Sequence, residues 1–135
     1  MKKRRVFVLV LAICFWLCGC AEGNQEPRRI RELQFTVLTE EKLPEELKEM
    51  IEERKKNPFK VTFMKEGWLY VAEGFGMQKG GGYSICVNDF FESENALYID
   101  TTLLGALEEP AQGSGHSFPY IVIKTEAVDK NVVFR

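Results

Sequence analysis

His116 is the single histidine in this 135-residue chain, and Ser114 and Ser117 stand beside it in a stretch that begins Gln112-Gly113-Ser114-Gly115. A nucleophile within reach of a base is the chemistry such neighbours could perform. No second candidate completes a triad, so the spacing reads as a surface-loop histidine. Asp89, Glu92 and Glu94 supply oxygen ligands at close spacing. They could hold a weak calcium ion, but the spacing is not that of an EF-hand loop, and a solvated turn is the expected reading. No His/Cys pair stands at zinc-ligand spacing. Glycosidase chemistry needs two carboxylates facing each other across a cleft, and no such pair is read from the chain. The expectation is therefore no catalytic residue, no metal and no cofactor: a protein that is not an enzyme.

Gly80-Gly81-Gly82 follows Gly74-Phe75-Gly76. A phosphate-binding loop would continue into Lys-Ser/Thr and a helix, whereas here Tyr83 begins a strand. Glycine permits positive φ and lets another backbone come close. The run therefore reads as a loop between strands whose exposed backbone can present a docking surface. Lys79, Gly80, Gly81, Gly82 and Tyr83 are the candidate partner contacts. Phe118, Pro119 and Tyr120, at the far side of the second glycine-rich stretch, are added to them.

The four cysteines are read through the N-terminus. Lys2, Lys3, Arg4 and Arg5 precede an unbroken apolar run, Val6 to Leu17. That run is too short for a bilayer span, which needs about 20 residues. A basic start with a short apolar core is the pattern of a secretory signal. Leu17-Cys18-Gly19-Cys20 then resembles the lipobox of bacterial lipoproteins. In that family a peptidase cuts before the cysteine and its sulfur carries a diacylglycerol. The expected organisation is a signal peptide over 1–19, a lipidated Cys20 with a flexible tether over 20–32, and a folded domain over 33–135. Two acyl chains give stable anchoring, so the expected location is the outer face of a bacterial cell membrane. Cys14 and Cys18 would leave with the signal and Cys20 would be blocked. Cys86 alone would remain, and Ser84-Ile85-Cys86-Val87 reads as a strand holding a half-buried, inert thiol.

The whole chain carries 18 basic and 20 acidic side chains, a formal net charge of −2. A nucleic-acid partner would call for a basic excess gathered on one face, so none is expected.

The elements that must position these residues are mostly strands. Leu33–Leu38 alternates and is β-rich. Pro44 to about Lys56 reads as the one helix. Proline suits its first position, Glu45 and Glu46 its positive end, and Lys55 and Lys56 its negative end. Leu43, Leu47, Met50 and Ile51 form a stripe expected to pack on the domain's own sheet. Lys60–Lys65 and Trp68–Phe75 flank the hairpin signal Glu66-Gly67. Gly82–Phe91 and Ala96–Leu104 flank a second turn, and Phe118–Thr125 and Val132–Phe134 complete the set. Tyr120, Ile121, Val122 and Ile123 make both faces of one strand apolar, which predicts a central strand covered on two sides. The expected fold is α+β and mainly β: a small antiparallel barrel or sandwich of six to seven strands with one N-terminal amphipathic helix.

From the helix onward the chain resembles the PrcB C-terminal domain family. Gln78-Lys79-Gly80-Gly81-Gly82-Tyr83-Ser84-Ile85 is similar to that family's PTGGYS hairpin. Phe118-Pro119-Tyr120-Ile121-Val122-Ile123 is similar to its "PY" strand. Leu43–Phe59, Tyr70–Gly76 and Tyr98–Gly105 fit Gram-positive members, so the resemblance runs over about 33–135. Lys79 and Gly80 stand where Pro and Thr are usual in the family, which makes a looser turn. The resemblance implies an exported β-rich domain, and the family's namesake is a lipoprotein subunit that assists a surface protease without being a peptidase. The implied function is a non-catalytic, membrane-tethered accessory or protein-binding domain that assists or stabilises a surface protease or another surface protein. The alternative is a peptidase inhibitor, because a Gly-rich loop leading into Tyr83 also resembles the chagasin-type inhibitors built on a β-sandwich.

Overall fold

The computed structural model describes residues 23, 25–106, 113 and 115–135. The expected signal, Cys14, Cys18, Cys20, Gln112 and Ser114 lie outside the described residues. Ten strands are described, with one α-helix and one short 3-10 turn, Glu40–Lys42. The strands are β1 (Arg29–Glu32), β2 (Thr36–Val37), β3 (Pro58–Lys65), β4 (Trp68–Phe75) and β5 (Gln78–Lys79). They continue as β6 (Ser84–Ser93), β7 (Ala96–Leu104), β8 (His116–Ser117), β9 (Tyr120–Glu126) and β10 (Asn131–Phe134); the helix α1 is Glu45–Arg54.

The turns follow from local chemistry. Glu66 and Gly67 join β3 to β4 with φ of 51° and 81°. Two successive positive φ values suit the right-handed twist of the flanking strands. Between β6 and β7 the Ser93 hydroxyl accepts from the N–H of Asn95 and of Ala96 and donates to the Ala96 carbonyl. Helix α1 starts behind Pro44 and ends where Asn57-Pro58 turns the chain into β3. Pro58 cannot continue a helix.

Two four-stranded sheets face each other. The first has the order β1-β6-β7-β10 and the second β2-β9-β4-β3, while β5 and β8 form a separate two-stranded ribbon. These are open sheets, so the barrel alternative gives way to the sandwich. The strand count exceeds the expected six to seven because the chain changes sheets between short strands. Leu33–Leu38, expected as one strand, crosses the sandwich. Leu33 N–H donates to the Phe90 carbonyl of the first sheet, and Leu38 N–H to the Val122 carbonyl of the second. Only Thr36–Val37 remain in register with β9. Arg29–Glu32, expected within the flexible tether, instead pair with β6 as an edge strand. One pair departs from the antiparallel expectation. The chain leaves β9 in the second sheet, crosses to the first, and runs β10 parallel to β7.

The core has two halves. Leu69 and Val71 of β4, Ile121 and Ile123 of β9, and Phe90, Leu97 and Ile99 of the first sheet fill the sandwich with Leu33. On the other face of the second sheet, Leu43, Leu47 and Ile51 pack against Phe59, Val61, Tyr70, Ala72 and Val122. The helical stripe therefore docks on its own sheet, and β9 is covered on both sides, as its sequence predicts. A fully buried leucine or isoleucine contributes about 1.5–3 kcal/mol through lost apolar area.

One close approach locks β3 to β4. A Cβ on Gly74 would lie 2.1 Å from the Phe59 ring, which occupies the space a side chain would fill. A glycine inside a strand marks such a crossing. Gly74→Ala is expected to destabilise the domain by about 1–3 kcal/mol through overpacking, measured as a lower urea midpoint with unchanged m-value. A midpoint equal to the parent's would show that the ring yields freely.

Candidate functional site

The glycine-rich stretches predicted as docking loops meet in the folded chain. Gln78 and Lys79 pair with Ser117 and His116 to make the β5–β8 ribbon. Gly80 N–H donates to the Gly115 carbonyl at 2.8 Å and extends that pairing. Gly80, Gly82, Gly113 and Gly115 have φ between 77° and 81°, a region where a side chain is strained. Both arms of the ribbon thus turn on glycines, for the same backbone reason.

The Tyr83 hydroxyl donates to the Lys79 carbonyl at 2.8 Å, so its side chain bridges the three glycines and closes the loop. Gln78 Nε2 donates to the Phe75 carbonyl at 3.0 Å and ties the ribbon to the end of β4. Phe75 N–H donates to the Pro119 carbonyl, also at 3.0 Å. The Lys55 ammonium lies 5.7 Å from the Phe118 ring centre, a cation–π contact from the end of the helix. Tyr120 stands opposite Gly74, with its ring 6.5 Å from that of Phe59. Burial pushes the Tyr120 hydroxyl pKa up, and Glu40 and Glu52 add to that. All eight predicted contact residues therefore gather at one end of the sandwich. Their roles differ. Lys79, Gly81 and Gly82 are exposed, whereas Gly80 is buried and Phe118, Pro119 and Tyr120 are half-buried supports.

Both stretches are expected as contact regions from the sequence, but not their pairing into one ribbon. His116 is not in a loop: it is an exposed residue of β8, opposite Lys79. Ser117 Oγ is buried and has no hydrogen-bond partner among the described residues. The repeated Gly-X-Gly spacing at 113–115 was the signal that could have paired the two stretches. Cys86 also differs from expectation. It is exposed, on the outer face of β6 opposite Thr102, so the half-buried reading is corrected. The register shift between Val87 and Asp89 lies just beyond it, and such a bulge changes which side chains face outward.

The carboxylates considered for calcium are committed to cations. Asp89 accepts from Arg29, and Arg135 lies 3.7 Å from it. Glu92 accepts from Lys130 at 2.8 Å and from Arg31 at 2.6 Å. Arg28 lies 3.9 Å from Glu94. No cluster of His, Cys, Asp or Glu among the described residues is arranged to hold a metal. Lys130, then Arg31, hold the Glu92 carboxyl below its ordinary pKa, and Arg29 does the same for Asp89.

The family model described as PrcB C-terminal matches residues 69–126. Over that stretch, the chain is similar to the PrcB C-terminal family. The match runs from β4 to β9 and contains the whole ribbon with all eight contact residues. It is narrower than the resemblance over 33–135: the helix, β3 and β10 lie outside it. No curated protein and no solved structure matches the chain.

The lowered Glu92 pKa has a pH signature. A depressed carboxyl stabilises the fold above its unfolded pKa, near 4.3, and loses that contribution as pH falls through the folded value. Glu92→Gln is expected to lower the urea midpoint at pH 7, with the gap to the parent closing in acid. A gap independent of pH would contradict this assignment.

Proposed function

We propose that this protein is a non-catalytic, lipid-anchored accessory domain that docks a protein partner through its β5–β8 ribbon, assisting a surface protease complex. One observation carries the reading. The family match, the glycine turns and the exposed Lys79, Gly81 and Gly82 coincide at one end of a rigid sandwich. The chain enters at the other end, because β1 pairs with the last residues of β6. Ten residues of β6 separate the two ends, about 30 Å at 3.3 Å per residue. A tether attached before β1 therefore leaves the ribbon clear.

The family suggests association with a protease complex, as an accessory subunit and not as a catalytic one. The site's chemistry is consistent with that. His116 makes no side-chain hydrogen bond among the described residues, and Ser117 Oγ is turned into the protein. What the ribbon offers is backbone donors and acceptors, the Lys79 ammonium and open space around Gly81. Loops held on a rigid scaffold commonly bind in this way. In this reading a thioether at Cys20 holds the domain at the outer membrane face.

Gly81 makes the reading testable without unfolding the protein. Its φ is not in the left-handed region, and a Cβ there would meet nothing within 4 Å. Gly81→Trp is expected to leave the melting temperature unchanged and to cut recovery of the co-purifying partner from native membranes severalfold. Undiminished recovery with Gly81→Trp would remove the ribbon as the docking surface.

A further inference from the structure

The free edge of β3 carries an inference beyond ribbon docking. At eight residues β3 is the longest edge strand among the described residues, and its pairing with β4 is regular throughout. The two-residue turn makes Lys65 and Trp68 a hydrogen-bonded pair. Alternation then directs the backbone groups of Phe63, Val61 and Phe59 towards β4, and those of Met64, Thr62 and Lys60 outward. Pro58, which has no N–H, falls on the outward set, where a strand tolerates proline. No backbone group among the described residues bonds the outward amides and carbonyls of Lys60, Thr62 and Met64.

We propose that this edge pairs with the β3 edge of a second copy, forming a two-fold dimer with one continuous eight-stranded sheet. A two-fold axis normal to the sheet keeps each side chain on its own face, so residues pair only with residues of the same parity. The register centred on Val61 is the complementary one. It sets Val61 against Val61 of the second copy and Phe59 against Phe63 of the second copy, on the face that α1 covers. Lys60 then meets Thr62 of the second copy, and about six hydrogen bonds close the seam. Moving the centre to Lys60 would oppose two ammonium groups, and moving it to Thr62 would set Phe59 against a lysine.

Charge follows the same symmetry. Glu46 of α1 is bonded to Lys65 at 3.0 Å, which places the acidic first turn of the helix at the end of β3 that follows Phe63. Its basic end, Arg54 to Lys56, lies towards Pro58. The two-fold axis runs the two helices in opposite directions, so each acidic end lies beside the other's basic end. An inward-facing lysine such as Lys60 is a guard against indiscriminate edge pairing. Here Lys60 lies 5.6 Å from the Phe134 ring, inside the groove of about 780 Å³ between β3 and β10. It thus leaves the seam to a partner whose opposing residue is uncharged. Both chains would enter on the outer face of the first sheet, where Glu26 pairs with Arg135, so both tethers could reach one membrane.

The test uses the full chain in membranes. In a Cys86→Ser background, Val61→Cys is expected to give a covalent dimer with copper phenanthroline, while Thr62→Cys and the parent give little. Thr62→Pro removes an outward N–H and leaves the β4 ladder intact. It is expected to convert the sedimenting dimer in detergent to monomer, with the melting transition retained. A parent that sediments as a monomer, a dimer that survives Thr62→Pro, or cross-linking through position 62 in place of 61 would each overturn the proposal. None of these outcomes bears on the ribbon, which the Gly81→Trp comparison tests separately.

Discussion

The structure depends on burying the second sheet on both faces. Ile121 and Ile123 point into the sandwich, and Val122 between them points under the helix. A strand covered on two sides cannot slip by one residue without exchanging its two sets of neighbours. Leu69 and Val71 against Tyr70 and Ala72 impose the same condition on β4. Together β4 and β9 form a plank whose register is fixed, and the helix and first sheet are what fix it. Everything at the glycine-rich end inherits that register, because the bond from Phe75 N–H to the Pro119 carbonyl continues the β4–β9 ladder one step past the start of β9.

The same plank explains why aromatic residues and glycines alternate roles near the site. Phe59 lies across Gly74, and the Tyr120 ring is tilted against that of Phe59. Large side chains here occupy the space over a bare backbone, which brings β3, β4 and β9 together tightly just before the ribbon begins. Beyond that point the chain turns on glycines and projects backbone, with Tyr83 spanning the loop from within. Rigid packing gives way to an exposed polar edge within a few residues. On the outer face of the first sheet a different device serves the same end. Arg29 lies 4.0 Å from the Phe91 ring centre, and Arg135 lies 5.4 Å from it and 5.6 Å from that of Tyr98, roofing aromatic rings that no further layer covers.

Much of this was legible in the residues. Glu66-Gly67 announced its hairpin, because only a few dipeptides accept two positive φ values. Pro44 and Asn57-Pro58 bounded the helix, and the doubled apolar character of 120–123 announced a central strand. What stayed hidden was where the chain changes sheets. Leu33–Leu38 has a strand's alternation, but Leu33 serves one sheet and Val37 the other. Arg29–Glu32 has one apolar residue, the exposed Ile30, and so no alternation to read; it is held as a strand by pairing with β6 and by ion pairs to Asp89 and Glu92, partners some 60 residues away. The candidate site was half legible. Gly80–Tyr83 was visible as a loop, but its pairing with His116 and Ser117 is a contact between distant segments, and a local pattern carries no trace of it. Cys86 is exposed against expectation because its strand shows one face to solvent, and alternation alone does not say which.

The functional account joins a platform, a ribbon at one end and a lipid mooring at the other. The proposed mooring is central, since it would set both where the ribbon works and why a domain with no catalytic constellation among its described residues is useful there. Intact mass spectrometry of the mature protein from native membranes tests it most directly. The account predicts a chain beginning at Cys20 that carries a diacylglycerol thioether. A chain without acyl groups, or one still joined to residues 1–19, would contradict it.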